Sequence, residues 1–326
     1  MLSQSTLEVS VIIPVYNEEK YIKNCIHSLI AQSYPLDKME WIIVDGASTD
    51  STKSIVKGFE DSYPIVLLDN KERKTPISMN IGIKSSRGKY IIRLDAHASF
   101  PNDYIEKCVY YLENTDADNV GGFVETKANG FVGSAIAIML SSKFGVGGSS
   151  FRIGDKSGYV DTVPFGAFRR EIFGKVGLFN ENLLRSEDND MNARIRQAGG
   201  KIYLAEDIIS TYYCRDTVKG LLRMALQNGN ALFWTLREDL HAMSIRHFIP
   251  FAFLISLIIM PVVFLTGTTI KWLFVLELIA YCMLDCYYSF KPENRKYGVI
   301  TLWLFPLFHV FYGIGSLLGL MRIKMY

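Results

Sequence analysis

The chain has 326 residues, 49% of them hydrophobic, enough to fill the cores of about two domains, which excludes an intrinsically disordered protein. Thirty-five Lys and Arg against 33 Asp and Glu leave a net charge of +2, with none of the basic excess that marks a nucleic-acid partner. The five cysteines, Cys25, Cys108, Cys214, Cys282 and Cys286, form no CxxC pair and no close Cys/His set, so they read as reduced structural thiols rather than a disulfide framework or a zinc site.

From residue 9 onward, short apolar runs alternate with amphipathic stretches, the pattern of an α/β fold in which helices cover a parallel sheet. Residues 9–14 predict a first strand and 19–32 a helix with Tyr21, Cys25, Ile26 and Leu29 on one face. Residues 41–44 predict a second strand that stops at Asp45. Ser48 or Thr49 is placed to cap the next helix, which runs to residue 59 and has Asp50 in its first turn. Two further strands fall at 65–68 and 90–94, separated by a helix over 76–85 in which Pro76 suits a first-turn position. Neither GxGxxG nor GxxxxGK[ST] follows any of these strands, so neither a dinucleotide fold nor a P-loop is supported.

Ligands of open α/β sheets bind beyond the carboxyl ends of the strands. Those positions hold Pro14-Val-Tyr-Asn17-Glu18, Asp45-Gly-Ala-Ser-Thr-Asp50 and Asp95-Ala96-His97. A carboxylate and an imidazole two residues apart can share a divalent cation that bridges a diphosphate. Taken singly, Asp45 and Asp95 are equally well explained as strand-ending or capping residues; their order along one sheet edge is what joins them. Residues 186–190, Ser-Glu-Asp-Asn-Asp, open another amphipathic helix with Met191, Ile195 and Ala198 inward and a stop at Gly199-Gly200. Acids suit a helix N-terminus, but three within four residues exceed what capping requires, and one of them is a candidate general base.

The composition changes near residue 247, since 248–326 carry only nine charged side chains in 79 positions. Apolar stretches at 248–270, 272–288 and 297–321 each approach the roughly 20 residues a spanning helix needs. Glu277 and Asp285 in the middle stretch require a protein partner, a polar cavity or an interfacial position, so two to three spans are expected. The first ten residues have neither a basic nor an apolar leader region, which predicts a front domain on the cytoplasmic face of a multi-pass membrane protein. Arg237, Arg246, Lys291, Arg295 and Lys296 against Lys271, Arg322 and Lys324 favour the same orientation. The expected organisation is a catalytic domain over 1–235, an amphipathic interfacial segment over 217–247 and a helical membrane domain over 248–326.

These motifs, in this order and spacing, resemble the family 2 glycosyltransferases of GT-A fold over most of residues 8–235. The likeness rests on Pro14 to Glu18, Asp45 to Asp50, Asn80-Ile-Gly82 with Ser86-Arg-Gly88, Asp95-x-His97 and the Glu187-Asp188 helix. Within the family it is similar to the membrane-anchored glucosyltransferases of exopolysaccharide and capsule assembly, where Asp-x-His replaces Asp-x-Asp; Phe144-Gly-Val-Gly-Gly148 and Pro164-Phe-Gly-Ala-Phe-Arg-Arg170 point the same way. The resemblance implies a mixed, mainly parallel sheet flanked by helices, followed by an all-α transmembrane tail. It implies that Pro14, Asn17, Glu18, Asp45, Asn80 and Asp95 bind a nucleotide-sugar, most often UDP-linked, and that Asp95 and His97 hold Mn²⁺ or Mg²⁺ on its diphosphate. Lys74, Arg87 and Arg93 are candidates to complement that diphosphate, and Asp188, with Glu187 beside it, is the candidate base of an inverting transfer with no covalent nucleophile.

Processive members of the family carry Gln-x-x-Arg-Trp, and here Arg223-Met-Ala-Leu-Gln227-Asn-Gly-Asn230 stands instead. That implies transfer of one sugar, to a polyprenyl-diphosphate-linked saccharide lying in the membrane, with Phe165, Gly166, Arg223 and Gln227 on the acceptor side. Two alternatives stand beside it. One is a polyprenyl-phosphate sugar synthase; the other is a transporter or scaffold with a nucleotide-binding head, whose polar path would be Glu277, Asp285 and His309.

Overall fold

A computed structural model describes residues 7–154, 156–183, 185–267 and 269–325. The strands are β1 (Val9–Val15), β2 (Met39–Asp45), β3 (Ile65–Asp69), β4 (Tyr90–Arg93), β5 (Ala98–Ser99), β6 (Asn119–Lys127), β7 (Gly158–Tyr159), β8 (Ala167–Arg169) and β9 (Ile202–Tyr213). The helices are α1 (Ile22–Ile30), α2 (Thr52–Glu60), α3 (Thr75–Ser85), α4 (Tyr104–Asn114), α5 (Gly130–Leu140), α6 (Lys143–Val146) and α7 (Ser150–Ile153) in the first half. After them come α8 (Glu171–Val176), α9 (Glu187–Gln197), α10 (Val218–Glu238), α11 (Ile249–Leu265), α12 (Lys271–Ser289) and α13 (Gly298–Leu320). By packing, the chain divides into one unit of Met1–Glu125 with Gly154–Tyr212 and a second of Thr126–Ile153 with Tyr213–Tyr326, whereas composition alone puts the break near residue 247.

In the first unit a mixed sheet runs in the order β3-β2-β1-β4-β8-β6-β9-β5, with β7 beside β9. The four strands from β3 to β4 are parallel, and β8 joins β4 antiparallel. β1 and β2 read as continuous apolar runs because helices cover both faces, burying Val11, Ile12 and Ile13 with Trp41, Ile42 and Ile43 completely. Each such side chain stabilises the fold by roughly 2 kcal/mol. Register Val15↔Asp45 and Asp45↔Asp69 brings the carboxyl ends of β1, β2 and β3 level, so their loops emerge side by side. Gly122 lies so close to the Ile208 carbonyl of β9 that any Cβ would run into it, which is how the two strands approach.

Three sequence expectations shift at element ends. The first helix begins at Ile22 rather than 19, and its buried face is Ile22, Cys25, Ile26 and Leu29, with Tyr21 left 45% exposed. The cause is local: the Glu18 and Glu19 amides donate to Thr52 Oγ1 and Asp50 Oδ2, which holds those residues in a turn against the β2 loop. The second helix begins at Thr52, and the residue whose side chain receives the Thr52 amide is Asp50, because Ser48 and Thr49 are bonded to Asn17. Ala198 follows the last turn of α9 and is exposed, so the inward face of that helix is Met191, Asn192, Ala193 and Ile195.

The second unit is helical and centred on α13. Three of its segments, Ile245–Leu265, Lys271–Ser289 and Pro292–Leu320, are long and apolar enough to cross a membrane. α13 and α10 meet through small residues: Gly229 abuts the Tyr312 carbonyl, Gly315 the Leu226 carbonyl and Gly319 the Asn230 carbonyl. Close backbone approach of this kind is how helices associate where lipid supplies no hydrophobic drive. Asn230 donates to the Gly315 and Ile323 carbonyls and accepts from the Met325 amide, so one buried amide ties α10 to the end of α13. The costly polar groups have partners too: Ser256 donates to Glu277, Ser289 to Asp285, and His309 sits between the Tyr281 hydroxyl and the Phe144 carbonyl.

Candidate active site

The site is built at the carboxyl edge of the parallel strands, where the backbone is strained. Asn17, Ala47 and Arg73 follow β1, β2 and β3 with φ of 54°, 56° and 60°, while Phe165 and Ser186, ahead of β8 and α9, have φ of 48° and 63°. Non-glycine residues in the left-handed region cost about 1 kcal/mol or more each and gather where surroundings must fix a precise shape. The first two loops are stitched together: the Asn17 amide donates to Ser48 Oγ at 2.9 Å, and Asn17 Oδ1 accepts from the Thr49 amide at 2.8 Å. Between them lies Asp45, the last residue of β2 and 1% exposed. Its Oδ2 accepts from the Ser48 amide at 3.1 Å, and its buried Oδ1 has no partner. A buried carboxylate oxygen without a donor is costly, and this one sits at the loop-bearing edge of the sheet.

Arg93, the last residue of β4, is the centre of the charged cluster. A charge in a buried strand must be paired, and Arg93 is paired three times: Nε to Asp95 Oδ1 at 3.3 Å, Nη1 to Glu187 Oε1 at 3.0 Å and to Asp188 Oδ1 at 2.7 Å. Arg93 and Glu187 side chains are 8% and 11% exposed, Asp95 is 22% and Asp188 30%, so Asp188 is the more open of the two helix acids. Among the described residues Asp188 Oδ2 receives no hydrogen bond. Burial raises the Asp188 carboxyl to about 7; the Arg93 charge opposes the rise, and Glu187 and Asp95 add to it. His97 is half-exposed, and its Nδ1 meets Glu18 Oε1 at 3.0 Å.

The structure therefore brings Asp95, Glu187 and Asp188 together through Arg93, and places Glu18 on His97. Arg93 is spent on carboxylates instead of facing a diphosphate. Arg87 lies at the opposite, amino-terminal edge of the sheet, where its Nε and Nη2 both donate to Glu40 Oε2. Lys74 donates to the Glu181 carbonyl. Asn80 is buried on α3, its amide engaged with Phe179 and Glu181, so it braces the segment leading to α9 rather than the edge holding Asp45 and Asp95. Pro14 pairs with Val44 inside the sheet. Phe165 is buried against Phe100, and the Gly166 carbonyl accepts from the Arg93 amide, tying that strained turn to the cluster. Arg223 and Gln227 lie on α10 in the helical unit, the former exposed and the latter half-buried. Two residues the motifs did not single out, Tyr16 and Arg73, project at the same edge, with the guanidinium 5.3 Å from the ring centre.

No three His, Cys, Asp or Glu side chains among the described residues form a ready metal cage. Asp95 and His97, two residues apart after β4, are of ligand types that would suit a divalent ion, one hard and one borderline, and three carboxylates face one guanidinium beside them.

A mixed, mostly parallel sheet with acids gathered at its carboxyl edge defines a glycosyltransferase of GT-A fold. The model of the glycosyl transferase family 2 matches residues 10–177, just over half of the chain, and the chain belongs to that family. A dolichyl N-acetyl-alpha-D-glucosaminyl phosphate 3-beta-D-2,3-diacetamido-2,3-dideoxy-beta-D-glucuronosyltransferase of Methanococcus voltae is 28% identical over 323 residues, covering 96% of this chain and 97% of that one. The succinoglycan biosynthesis protein ExoA of Rhizobium meliloti is 32% identical over 208 residues, 63% of each chain. Among solved structures, the mannosyltransferase of Pyrobaculum calidifontis in complex with GDP-Man and Mn²⁺ shares the fold, with a TM-score of 0.65 at 18% identity over 97% of this chain and 88% of that one.

Proposed function

We propose that the protein transfers a single sugar, with inversion, from a nucleotide-sugar to a hydroxyl of a polyprenyl-linked saccharide at the membrane, as a step of glycan assembly. The observation that carries this reading is the Arg93 cluster, which sets a metal-ligand candidate, Asp95, and a base candidate, Asp188, on two arms of one guanidinium. The likeness, over 96% of this chain, to a transferase named for a dolichyl-phosphate-linked sugar acceptor favours a glycolipid hydroxyl over a bare lipid phosphate. The three apolar helices would hold the enzyme where such an acceptor lies. The preferred orientation keeps the sheet unit on the cytoplasmic side.

In this mechanism Asp45 Oδ1 accepts from an N–H or O–H of the donor nucleoside, and the loop joined by Asn17 and Ser48 keeps that carboxylate in place. Asp95 and His97 would hold Mn²⁺ or Mg²⁺, which would supply a Lewis acid to neutralise charge developing on the departing nucleoside diphosphate. Glu18 holds His97 Nδ1, fixing the ring tautomer so that Nε2 carries the lone pair. Asp188 takes the proton of the acceptor hydroxyl while the acceptor oxygen bonds to the anomeric carbon and the bond to the diphosphate oxygen breaks. Arg93 fixes the Asp188 carboxylate through Oδ1 and leaves Oδ2 for that proton. Glu187, buried on the same guanidinium, positions rather than reacts.

Asp188→Asn should lower kcat by roughly a hundredfold or more with donor affinity nearly unchanged, measured by nucleotide release and calorimetric donor binding. A loss below roughly tenfold removes Asp188 from the role of base.

A further inference from the structure

Within the helical unit, away from any residue assigned above, α5 and the turn after it face the end of α12. Between them is a cleft of about 570 Å³ with polar walls: Ser141, Ser142 and Lys143 on one side, Tyr288, Lys291 and Asn294 on the other. Beside it runs a groove of about 680 Å³ that shares Tyr287, Lys291 and Glu293 with the cleft and is otherwise lined by Met283, Cys286, Phe290 and Pro292. A polar chamber and an apolar groove therefore meet at one lysine.

The charges at the junction favour an anion. Among the described residues the Lys143 ammonium has no hydrogen-bond or ion-pair partner. Lys291 is held over the rings of Tyr287 and Tyr288, 5.5 and 5.0 Å from their centres, in the manner of an aromatic-braced cation. The acid of the lining, Glu293, lies 4.0 Å from Lys291 with 64% of its side chain exposed, a distance and exposure at which solvent screens most of the attraction. The apolar groove continues onto a bare face of α12, where Leu276, Ile279 and Met283 are 60%, 51% and 67% exposed. Such a face on a segment long and apolar enough to span a membrane meets hydrocarbon. One anionic chamber leading into one apolar groove matches an amphiphile with a phosphate head and a single tail better than a two-tailed phospholipid.

We propose that this paired cleft binds the phosphate head and first isoprene units of the polyprenyl carrier, with Lys143 and Lys291 neutralising the phosphate and the Met283–Phe290 side of the groove taking the tail. The assignment rests on the acceptor reading above, and it adds the place where the carrier is gripped. Two ammonium-to-phosphate contacts are charge-assisted and together account for a loss of roughly tenfold or more in affinity when both are removed.

The test is native mass spectrometry of the detergent-solubilised full chain titrated separately with undecaprenyl phosphate, phosphatidylglycerol and inorganic pyrophosphate. The expected result is a one-to-one adduct with undecaprenyl phosphate that weakens about tenfold or more in Lys143→Ala/Lys291→Ala and persists in Lys143→Arg/Lys291→Arg. Phosphatidylglycerol should bind at least roughly tenfold more weakly, and pyrophosphate should not displace the lipid. Equal binding by the alanine pair, equal binding of phosphatidylglycerol, or displacement by pyrophosphate each overturns the site. Nucleotide release from the sugar donor, followed in the same preparations, separates the two ideas. Lipid binding that depends on the lysines without any transfer would leave the site standing and remove the acceptor reading, whereas transfer without lysine-dependent binding would do the reverse.

Discussion

At the scale of single residues, the cluster turns on a guanidinium that cannot lose its proton. Arg93 pulls Asp188 toward ionisation while burial and two neighbouring carboxylates push it the other way, and the balance puts its carboxyl at about 7. A base works only when ionised, so a raised pKa means activity is full above that value and is lost as pH falls through it. kcat/KM measured across about pH 5 to 8 should fall about tenfold per unit on the acid side, and a flat profile would contradict Asp188 as base. Replacing Arg93 with Met leaves three acids facing one another without their cation, which should cost roughly 3–5 kcal/mol and show as a clear drop in Tm. If Asp45 Oδ1, buried and without a partner, holds the donor nucleoside as proposed, Asp45→Ala should weaken donor binding by roughly tenfold in calorimetry while leaving metal-ion binding alone. Part of this was legible in the sequence. Acids at successive strand ends are visible in one dimension, and Asp45 does end β2 and Asp95 does follow β4 at the carboxyl edge. Arg93, a diphosphate candidate by sequence, ends β4 and is buried, and a buried cation there needs acids, which here come from Asp95, Glu187 and Asp188.

At the scale of elements, strands were the easiest to read because a doubly covered parallel sheet writes itself as unbroken apolar runs, as in β1 and β2. Helix starts were harder. Ser48 and Thr49 look like caps in one dimension, yet they serve Asn17 across the loop, and Asp50 receives the Thr52 amide in their place. Such long-range side-chain bonds leave no periodic trace. Tyr21 likewise stays outside the buried face because the helix starts three residues later than its apolar spacing suggests. In the helical unit the apolar stretches were plain, but the closeness of α10 to α13 was not, since it depends on Gly229, Gly315 and Gly319 falling opposite backbone of the partner helix. Gly315→Val should therefore part the two helices, lowering Tm in detergent and increasing proteolysis after residue 216, whereas a substitution at Gly267, with open space around it and a positive φ, should act only through local strain. Unchanged melting of the Gly315 variant would remove this contact from the account.

At the scale of the whole molecule, the chain combines a sheet unit whose ligand edge is strained, stitched and acidic with a helical unit that has three membrane-length segments. Composition separates the two near residue 247, but packing assigns Thr126–Ile153 and the segment from Tyr213 onward to the helical unit, a division no local pattern announces. The groups that the transporter alternative relies on are each hydrogen-bonded, Glu277 to Ser256, Asp285 to Ser289 and His309 to Tyr281. Family membership makes the protein a glycosyltransferase; donor, metal and acceptor are the proposed part. The most direct measurement is nucleotide release by detergent-solubilised protein over a panel of UDP- and GDP-sugars, with Mn²⁺ or EDTA and with a polyprenyl-linked saccharide as acceptor, run beside Asp188→Asn. The account predicts release from one donor that needs both the metal and the lipid-linked acceptor and falls roughly a hundredfold in the variant. Release that proceeds unchanged in EDTA, or in Asp188→Asn, would contradict it.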